Sequence, residues 1–126
     1  MILEFLSVGL GGCFGSMSRY ALNLTAVHFG AVFPWGTLLS NTIAGILVGL
    51  IFTVEKDLNF SPRTVLLLRT GFLGGLSTFS AFSLETVRYA QQGAYGWAIA
   101  NTALNLLLSL VGVLIGQSIG QAIRTF

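Results

Sequence analysis

The sequence predicts an all-α integral membrane protein with four transmembrane helices in each subunit. Three observations lead to this class. Of the 126 residues, 54% are hydrophobic and only 8% are charged, whereas about a quarter of the residues in soluble domains are charged. The mean hydropathy is +0.84. The apolar residues also fall into four long runs, and about 20 mostly apolar residues suffice for a helix to cross a bilayer.

The predicted spans cover residues of about 2–24, 35–54, 63–89 and 94–122. Each run is long enough for one transmembrane helix, and together they leave no segment for a soluble domain. We therefore predict a single domain over residues 1–126.

Short polar breaks separate the spans. Residues 28–34 are predicted to turn the chain after the first span. After the second span, residues 55–59 contain a cluster of charges that the bilayer core would exclude. Ser61 followed by Pro62 is typical of a helix start, with a hydroxyl N-cap and proline at the first helical position. Residues 91–93 separate the last two spans.

Composition argues against several classes of function. The net charge is +2, from six basic and four acidic residues, and the basic residues are scattered and form no patch of the kind that nucleic acids require. We therefore expect no nucleic-acid partner. The chain has one cysteine, and no Ser/His/Asp set, His/Cys cluster or carboxylate pair stands out. We therefore expect no enzyme activity.

Small residues recur at four-residue spacing along three spans. Such faces let helix backbones approach closely in lipid, where packing drives association. Most of these contacts could lie within one subunit. Four helices enclose no wide pore, however, and the chain has 16 glycines, so we predict that some contacts join two subunits. The faces are Ser7, Gly11 and Gly15; Thr37, Asn41, Gly45 and Gly49; and Gly112, Gly116 and Gly120.

The charges near the span ends leave the orientation open. An even number of spans puts both termini and the loop after the second span on one side of the membrane. Only Lys and Arg set the orientation, and their bias is weak. The sequence is therefore compatible with a protein that inserts in both orientations and equally with one fixed orientation. One side carries Lys56, Arg63 and Arg124, and the other carries Arg88 with Arg19 nearby.

Polar side chains at membrane depth are costly, so each marks a candidate site. Asn101, Asn105 and Ser109 form one stripe on the fourth span, and Thr37 with Asn41 forms another on the second. Their amides and hydroxyls can donate hydrogen bonds to a small ion without trapping it by charge. Hydrogen bonding between helices is the alternative role, and the spacing does not separate the two.

The third span contains a segment that favours a helix break. Glycines and hydroxyl residues crowd residues 70–83, within an otherwise apolar run. Glycine weakens a helix, and hydroxyls can satisfy the backbone groups that a break leaves free. Unwound backbone at membrane depth is tolerated only where it is buried in protein or lines a cavity. Its carbonyl oxygens can coordinate a hard cation such as Na+.

Two aromatic residues of this span form a candidate anion contact. Phe79 and Phe82 are three residues apart and would share a face of a resumed helix. The edge of an aromatic ring is electropositive, so two inward-facing rings could solvate a small anion. Ordinary packing against lipid or against other helices is the alternative interpretation.

Several charged residues within or beside the spans have a predicted role. Arg19 would either reach the membrane interface or draw anions towards a vestibule. Glu85, near the end of the third span, would pair with a basic group or serve a proton or cation path. Arg69 and Arg88 are predicted to anchor the third span at the membrane interface.

The segment 71–83, GFLGGLSTFSAFS, resembles the signature of the CrcB/Fluc family of fluoride channels. Residues 12–20, GCFGSMSRY, and 36–41, GTLLSN, also resemble the family pattern, and the four spans match it in order and length. The resemblance implies a dual-topology antiparallel homodimer with two fluoride pathways in the cell membrane. It also implies passive, selective export of the fluoride that accumulates in the cell by acid trapping of HF.

The same resemblance implies roles for individual residues. Phe79 and Phe82 would contact fluoride through their ring edges, and Asn41 would be a pore-lining amide. The backbone carbonyls of Gly74 and Ser77, from both subunits, would hold a central structural Na+. The remaining candidates are the pathway residues Thr37, Ser80, Ser83, Asn101, Asn105 and Ser109, the vestibule residue Arg19 and the pore-end carboxylate Glu85.

Two positions depart from the family pattern. Ala81 replaces a hydroxyl that usually stands between the phenylalanines, so one contact to the ion is missing. Ser77 replaces a common threonine, which a site built from backbone carbonyls tolerates.

Two other functions stay open. A small multidrug or guanidinium exporter would need a membrane-embedded glutamate on the first span. In an assembly factor, the polar stripes would only join helices.

Overall fold

The computed structural model describes residues 1–30 and 32–125. Ala31, in the predicted turn, and Phe126, the last residue of the predicted domain, lie outside the described residues. All regular structure in the described part of the chain is helical. The elements are α1 (Ile2–His28), α2 (Trp35–Val54), α3 (Pro62–Val65), a π-helical segment (Leu66–Leu73), α4 (Gly74–Leu76), α5 (Phe79–Gln91) and α6 (Tyr95–Arg124).

Among the described residues, three helical stretches are long and apolar enough to cross a membrane. Trp35–Val54, Pro62–Gln91 and Tyr95–Arg124 have mean hydropathies of 1.9, 1.4 and 2.0, and they agree closely with the second, third and fourth predicted spans. α1 has 27 residues, about 40 Å of helix, but it is less apolar because Arg19 and interspersed glycines and serines dilute its hydrophobic residues. That α1 also crosses the membrane, as the first of the four spans, stays a prediction.

The predicted start of the third span is confirmed. Ser61 is the N-cap of α3, and its hydroxyl accepts a hydrogen bond of 3.2 Å from the amide of Thr64. Pro62 occupies the first turn, where its missing N–H leaves no intrahelical bond unmade. At the other end of this span, Gly93 has a φ of 73°, a left-handed conformation that favours glycine and turns the chain into α6.

α2 and α6 pack backbone against backbone through their glycine faces. A β-carbon on Gly45 would lie 2.7 Å from the carbonyl oxygen of Ser109, and one on Gly112 would lie 3.0 Å from that of Thr42. A β-carbon on Gly116 would overlap a backbone carbonyl of α2 outright. These distances leave no room for a side chain, so the two helices approach as closely as glycine allows.

α1 packs in the same manner against the first half of the third span. A β-carbon on Gly11 would overlap the carbonyl oxygen of Leu67, and one on Gly15 would overlap that of Phe72. On the facing side, a β-carbon on Gly75 would lie 2.6 Å from a carbonyl oxygen of α1. The glycine faces are thus filled within one chain. That some other contacts join two subunits stays a prediction.

The predicted break near the middle of the third span is confirmed. α4 ends at Leu76, and Ser77 (φ −79°, ψ 153°) and Thr78 (φ −153°, ψ 117°) are extended. Helix resumes at Phe79, where the Thr78 hydroxyl caps α5 by accepting a bond from the amide of Ala81 at 3.2 Å. Two non-helical residues therefore interrupt a span of 30 residues.

Candidate functional site

A cavity of about 490 Å³ lies beside the break in the third span, between α2, α5 and α6. Polar groups gather near the break, and apolar side chains line much of the rest. The cavity brings together predicted site residues from three spans that are far apart in sequence. These are Asn41, Gly74, Ser77, Phe79, Phe82, Asn105 and Ser109.

Asn41 lines the cavity and also fixes the geometry of the break. Its Oδ1 accepts a hydrogen bond of 2.7 Å from the amide of Thr78, and its Nδ2 donates one of 3.2 Å to the carbonyl of the same residue. The side-chain amide thereby pairs with both polar groups of an extended residue that has left the helix. This pairing satisfies backbone groups that the bilayer could not.

The asparagines continue as a chain of hydrogen bonds from the break into the α5–α6 interface. Asn41 donates to Oδ1 of Asn105 at 2.9 Å, and Asn105 donates to Oδ1 of Asn101 at 2.9 Å. Asn101 donates to the hydroxyl of Thr86 at 3.0 Å. Asn101 is fully buried and is not part of the cavity wall. The three residues of the predicted polar stripe therefore lie in two different environments. Asn105 and Ser109 lie at the cavity, whereas Asn101 joins two helices.

The two phenylalanines contact each other at the cavity wall. The ring centroids of Phe79 and Phe82 are 5.3 Å apart, with an interplanar angle of 69°. Phe82 is buried, whereas Phe79 is 73% exposed in the single chain. This edge-to-face arrangement is one of the preferred geometries of aromatic pairs, and it fixes the direction of each ring relative to the other.

The carbonyl oxygens of Gly74 and Ser77 accept no hydrogen bond from any described residue. The amide of Ser77 bonds to Leu73 at 3.0 Å, and the amide of Thr78, which would reach Gly74 in a continuous helix, bonds to Asn41 instead. A β-carbon on Gly74 would meet only one atom within 4 Å, at 3.9 Å. The break therefore leaves free carbonyls beside open space, the donor type that hard cations prefer.

Arg19 lies near the break and is not part of the cavity wall. Its Nε donates a hydrogen bond of 3.1 Å to the carbonyl of Gly75. That carbonyl belongs to the last turn of α4, where the helix ends and backbone acceptors lose their partners. The contact joins α1 to the end of the first half-helix, and the predicted vestibule role of Arg19 stays a prediction.

Thr37 and Glu85 form a second polar contact, which joins α2 to α5. The hydroxyl of Thr37 donates to Oε1 of Glu85 at 2.5 Å, and Oε2 of Glu85 is buried without a partner among the described residues. Glu85 also lines a small cavity of about 180 Å³ together with Arg88, Tyr89 and Gln92. Glu85 thus bonds to a hydroxyl and makes no ion pair among the described residues.

Two of the predicted hydroxyls bond locally. Ser83 donates to the carbonyl of Phe79 at 2.8 Å, one turn earlier in α5. Ser80 lies 3.3 Å from the hydroxyl of Thr78, measured between the oxygens, and is exposed. Neither residue is part of the cavity wall, and their predicted contacts to an ion stay predictions.

Two residues of the site were not predicted from the sequence. Thr78 supplies the backbone that Asn41 holds, and its position directly before a resumed helix was the available signal, since threonine is a favoured N-cap. Arg69 lines the cavity, whereas its place near a span end predicted an interface anchor. Nothing in the local pattern around Arg69 indicates a cavity, because the cavity forms only when α2 and α6 pack beside it.

This fold and site define a helical, multi-pass membrane protein with a partly polar cavity built around a broken helix. Comparison with known proteins gives the family. The family model described as "CrcB-like protein, Camphor Resistance (CrcB)" matches residues 6–117. The chain belongs to this family, which confirms the resemblance found in the third span, and it is a multi-pass protein of the cell membrane.

Three similar proteins illustrate the relationship, and each is named "Fluoride-specific ion channel FluC". The protein of Serratia proteamaculans is 43% identical over 112 residues, 88% of this chain and 88% of its own length. That of Polynucleobacter asymbioticus is 41% identical over 88% of this chain and 90% of its own. That of Shewanella loihica is 42% identical over 85% of this chain and 87% of its own.

Proposed function

We propose that this protein is a fluoride-selective channel that exports fluoride passively and so lowers its toxic concentration in the cytoplasm. The relatives named as fluoride-specific ion channels support this function. The structural observation that carries it is the cavity at which Asn41, Phe79 and Phe82 meet. A function without enzymatic chemistry follows from the class, since the relatives are ion channels by name.

The polar end of the cavity suits a small anion that must lose its water. Asn41 and Asn105 provide N–H donors without a full charge, so an ion can exchange hydration for protein contacts and still leave. Both amide hydrogens of Asn41 already have acceptors, at 3.2 Å on Thr78 and 2.9 Å on Asn105. A passing anion therefore has to displace one of them, and the longer bond to Thr78 is the weaker one.

The phenylalanine pair supplies contacts that select by size and exclude water. Ring edges carry a partial positive charge, and a rigid pair can surround a small anion with C–H groups where no water remains. Phe82 is held by burial and by its contact with Phe79. We propose that Phe79 and Phe82 form this contact, with Ser109 and the hydroxyls of Thr37, Ser80 and Ser83 along the rest of the path.

We further propose that two copies pair as an antiparallel homodimer of dual topology, with two pathways. Lipid cannot satisfy the free carbonyls of Gly74 and Ser77 or the polar groups of the cavity. Phe79, at the same wall, is 73% exposed in one chain. A second copy over this surface would bury it, and the weak charge bias of the loops permits both orientations.

A structural Na+ at the centre of this dimer is part of the proposal. The carbonyls of Gly74 and Ser77 have no hydrogen-bond donor among the described residues, and carbonyl oxygens are the ligand type that suits Na+. Two carbonyls from each copy would give four ligands. The ion would supply fixed positive charge between the copies, and it would be coordinated by carbonyls that are otherwise unpaired.

The experiment that tests the function is fluoride release from liposomes that contain the purified protein, followed with a fluoride-selective electrode. We expect rapid release that needs no ion gradient other than fluoride, and far slower loss of chloride from matched vesicles. Release no faster than from empty vesicles would contradict the proposal. Equal rates for chloride and fluoride would leave a channel but remove its selectivity.

The exporter alternative finds no support in the structure. It requires a glutamate inside the membrane on the first helix, and Glu4 lies in the first turn of α1, where it pairs with the N-terminal amine at 3.3 Å. The side chain of Glu4 is 51% exposed. Uptake of an organic cation driven by a pH gradient in the same liposomes would restore this alternative.

A further inference from the structure

Arg69 is the only charged residue in the cavity wall within the described part of the chain. Its Nη1 donates to both carboxylate oxygens of Glu55, at 2.9 Å and 3.0 Å. The guanidinium carbon also lies 5.5 Å from the centre of the Phe52 ring. Contacts on two sides hold the cation in place, and Glu55 is the more buried partner of the pair, with 13% of its side chain exposed against 35% for Arg69.

The pair lies at the end of the cavity away from the break. Glu55 directly follows α2, and Phe52 is in its last turn. On α2, the cavity wall runs from Asn41 to Val48, a rise of about 10 Å at 1.5 Å per residue. Val113 lines the corresponding end on α6. An ion that leaves the polar groups at the break would therefore pass an apolar stretch and meet Arg69 at its end.

The guanidinium keeps hydrogen-bond donors that Glu55 does not use. Only Nη1 bonds to Glu55, and the Nε and Nη2 groups of Arg69 have no acceptor among the described residues. Apolar walls strengthen the field of a charge in such a stretch. Glu55 opposes that field, because its negative charge lies within hydrogen-bond distance of the positive one.

We propose that Arg69 attracts anions to the apolar end of the cavity and that Glu55 sets how strongly it does so. This inference rests on the proposed channel function and adds a residue that determines the rate of anion entry. The ion pair makes the mouth nearly neutral, so anions are drawn in weakly but are not held. Removing either partner shifts the mouth to the charge of the other.

The test is a set of three variants measured for fluoride release at low fluoride concentration. Glu55→Gln leaves Arg69 uncompensated and should raise the initial rate, by on the order of tenfold at low salt, the lower end of electrostatic steering effects. Arg69→Gln leaves a lone carboxylate and should lower the rate by a similar factor. The double variant Glu55→Gln/Arg69→Gln restores neutrality and should return to within about threefold of the original rate.

Ionic strength gives a second readout that a purely structural role would not move. Because added salt screens charge, with a Debye length of about 8 Å at physiological ionic strength, an impermeant salt should abolish most of the gain in Glu55→Gln. It should change the original protein little. Arg69→Lys keeps the positive charge and should release fluoride at a rate close to the original. It is the substitute variant at this position if Arg69→Gln fails to fold.

A matched control pair exists outside the cavity. Arg124 and Asp57 form an ion pair of 2.5 Å, and neither residue is part of the cavity wall. Arg124→Gln and Asp57→Asn should leave the rate of fluoride release unchanged. A change as large as that of the Arg69 variants would show that surface charge in general controls release, and would overturn the proposal.

The remaining outcomes distinguish failure of the proposed role of Arg69 from failure of the proposed channel function. If both single variants lower release and the double variant does not recover, the pair is a structural contact and the inference is wrong. Unchanged rates in all three variants would also overturn it. If the original protein releases no fluoride, the proposed function fails first. Fluoride release by the original protein together with either negative result rejects only the role of Arg69.

Discussion

The side-chain amide of Asn41 pairs with the backbone of Thr78 across 37 positions of sequence, accepting one hydrogen bond of 2.7 Å and donating one of 3.2 Å. Thr78 is extended at the point where the third span leaves and re-enters helix. The amide therefore takes the place of the helical partners that the Thr78 backbone lost. One residue of α2 thus both stabilises the break and presents a polar group to the cavity beside it.

Replacing this amide should destabilise the protein and reduce fluoride release together. Asn41→Ala removes both bonds to Thr78 and leaves a backbone N–H without a partner at membrane depth, which costs about 1–3 kcal/mol. We expect a lower unfolding temperature in detergent and slower release from liposomes. Ser118→Ala is the control, because the exposed Ser118 hydroxyl bonds only within α6, to the carbonyl of Leu114. Normal stability with slow release would mean that Asn41 contacts the ion without supporting the break.

The phenylalanine pair should control release without controlling assembly. Phe79→Ile or Phe82→Ile keeps an apolar side chain but removes the ring edges that contact the ion. We expect release to fall at least tenfold for each, one decade being about 1.4 kcal/mol of barrier. The molecular mass in detergent should stay unchanged. Phe14→Ile, at an exposed position on α1, should have no effect. Unchanged release in both variants would remove the rings from the mechanism.

Much of the fold follows from the sequence, because its strongest signals are local. Hydropathy locates α2, the third span and α6 closely, and Ser61 with Pro62 marks the start of α3 because an N-cap depends on adjacent residues. The break around Ser77 is also local, since glycines and hydroxyls weaken that helix. Hydropathy identifies α1 less well than the other spans, because the same glycines that let it pack closely lower its hydropathy.

The site is less predictable because its contacts join residues far apart in the chain. Spacing places Asn101, Asn105 and Ser109 on one face of α6, but only the packing of α5 decides that Asn101 is buried and Asn105 lines the cavity. Arg69 lines the cavity and pairs with Glu55, a contact across 14 positions that periodicity does not reveal. Which glycines pack within a chain is likewise set by tertiary structure.

Glycine substitutions should separate packing within the chain from open surface. Gly116→Ala places a methyl group on a backbone carbonyl of α2, and overpacking of this kind costs about 1–3 kcal/mol. We expect a clear loss of thermal stability in detergent. Gly9→Ala is the matched control, because a β-carbon there meets no atom within 4 Å. Equal effects at both positions would mean that α2 and α6 do not pack through this face.

Gly74 offers a test of the proposed pairing that does not depend on transport. Within one chain a β-carbon on Gly74 would approach only the carbonyl oxygen of Arg69, at 3.9 Å, an ordinary van der Waals distance. Gly74→Ala should therefore leave the fold of a single chain intact. If Gly74 carbonyls from two copies meet around a Na+, the added methyl groups lie between the copies, where no comparable space remains.

We therefore expect Gly74→Ala to shift the protein towards monomer in detergent, measured by light scattering, while its helix content stays unchanged. Replacing Na+ with a large organic cation should also shift the original protein towards monomer, because the free carbonyls would then lose the ion that they bind. Gly96→Ala, at a position with no atom within 4 Å, is the control for a methyl group on open surface. A Gly74→Ala protein that stays dimeric, with an affinity that does not depend on Na+, would show that these carbonyls lie outside the subunit contact.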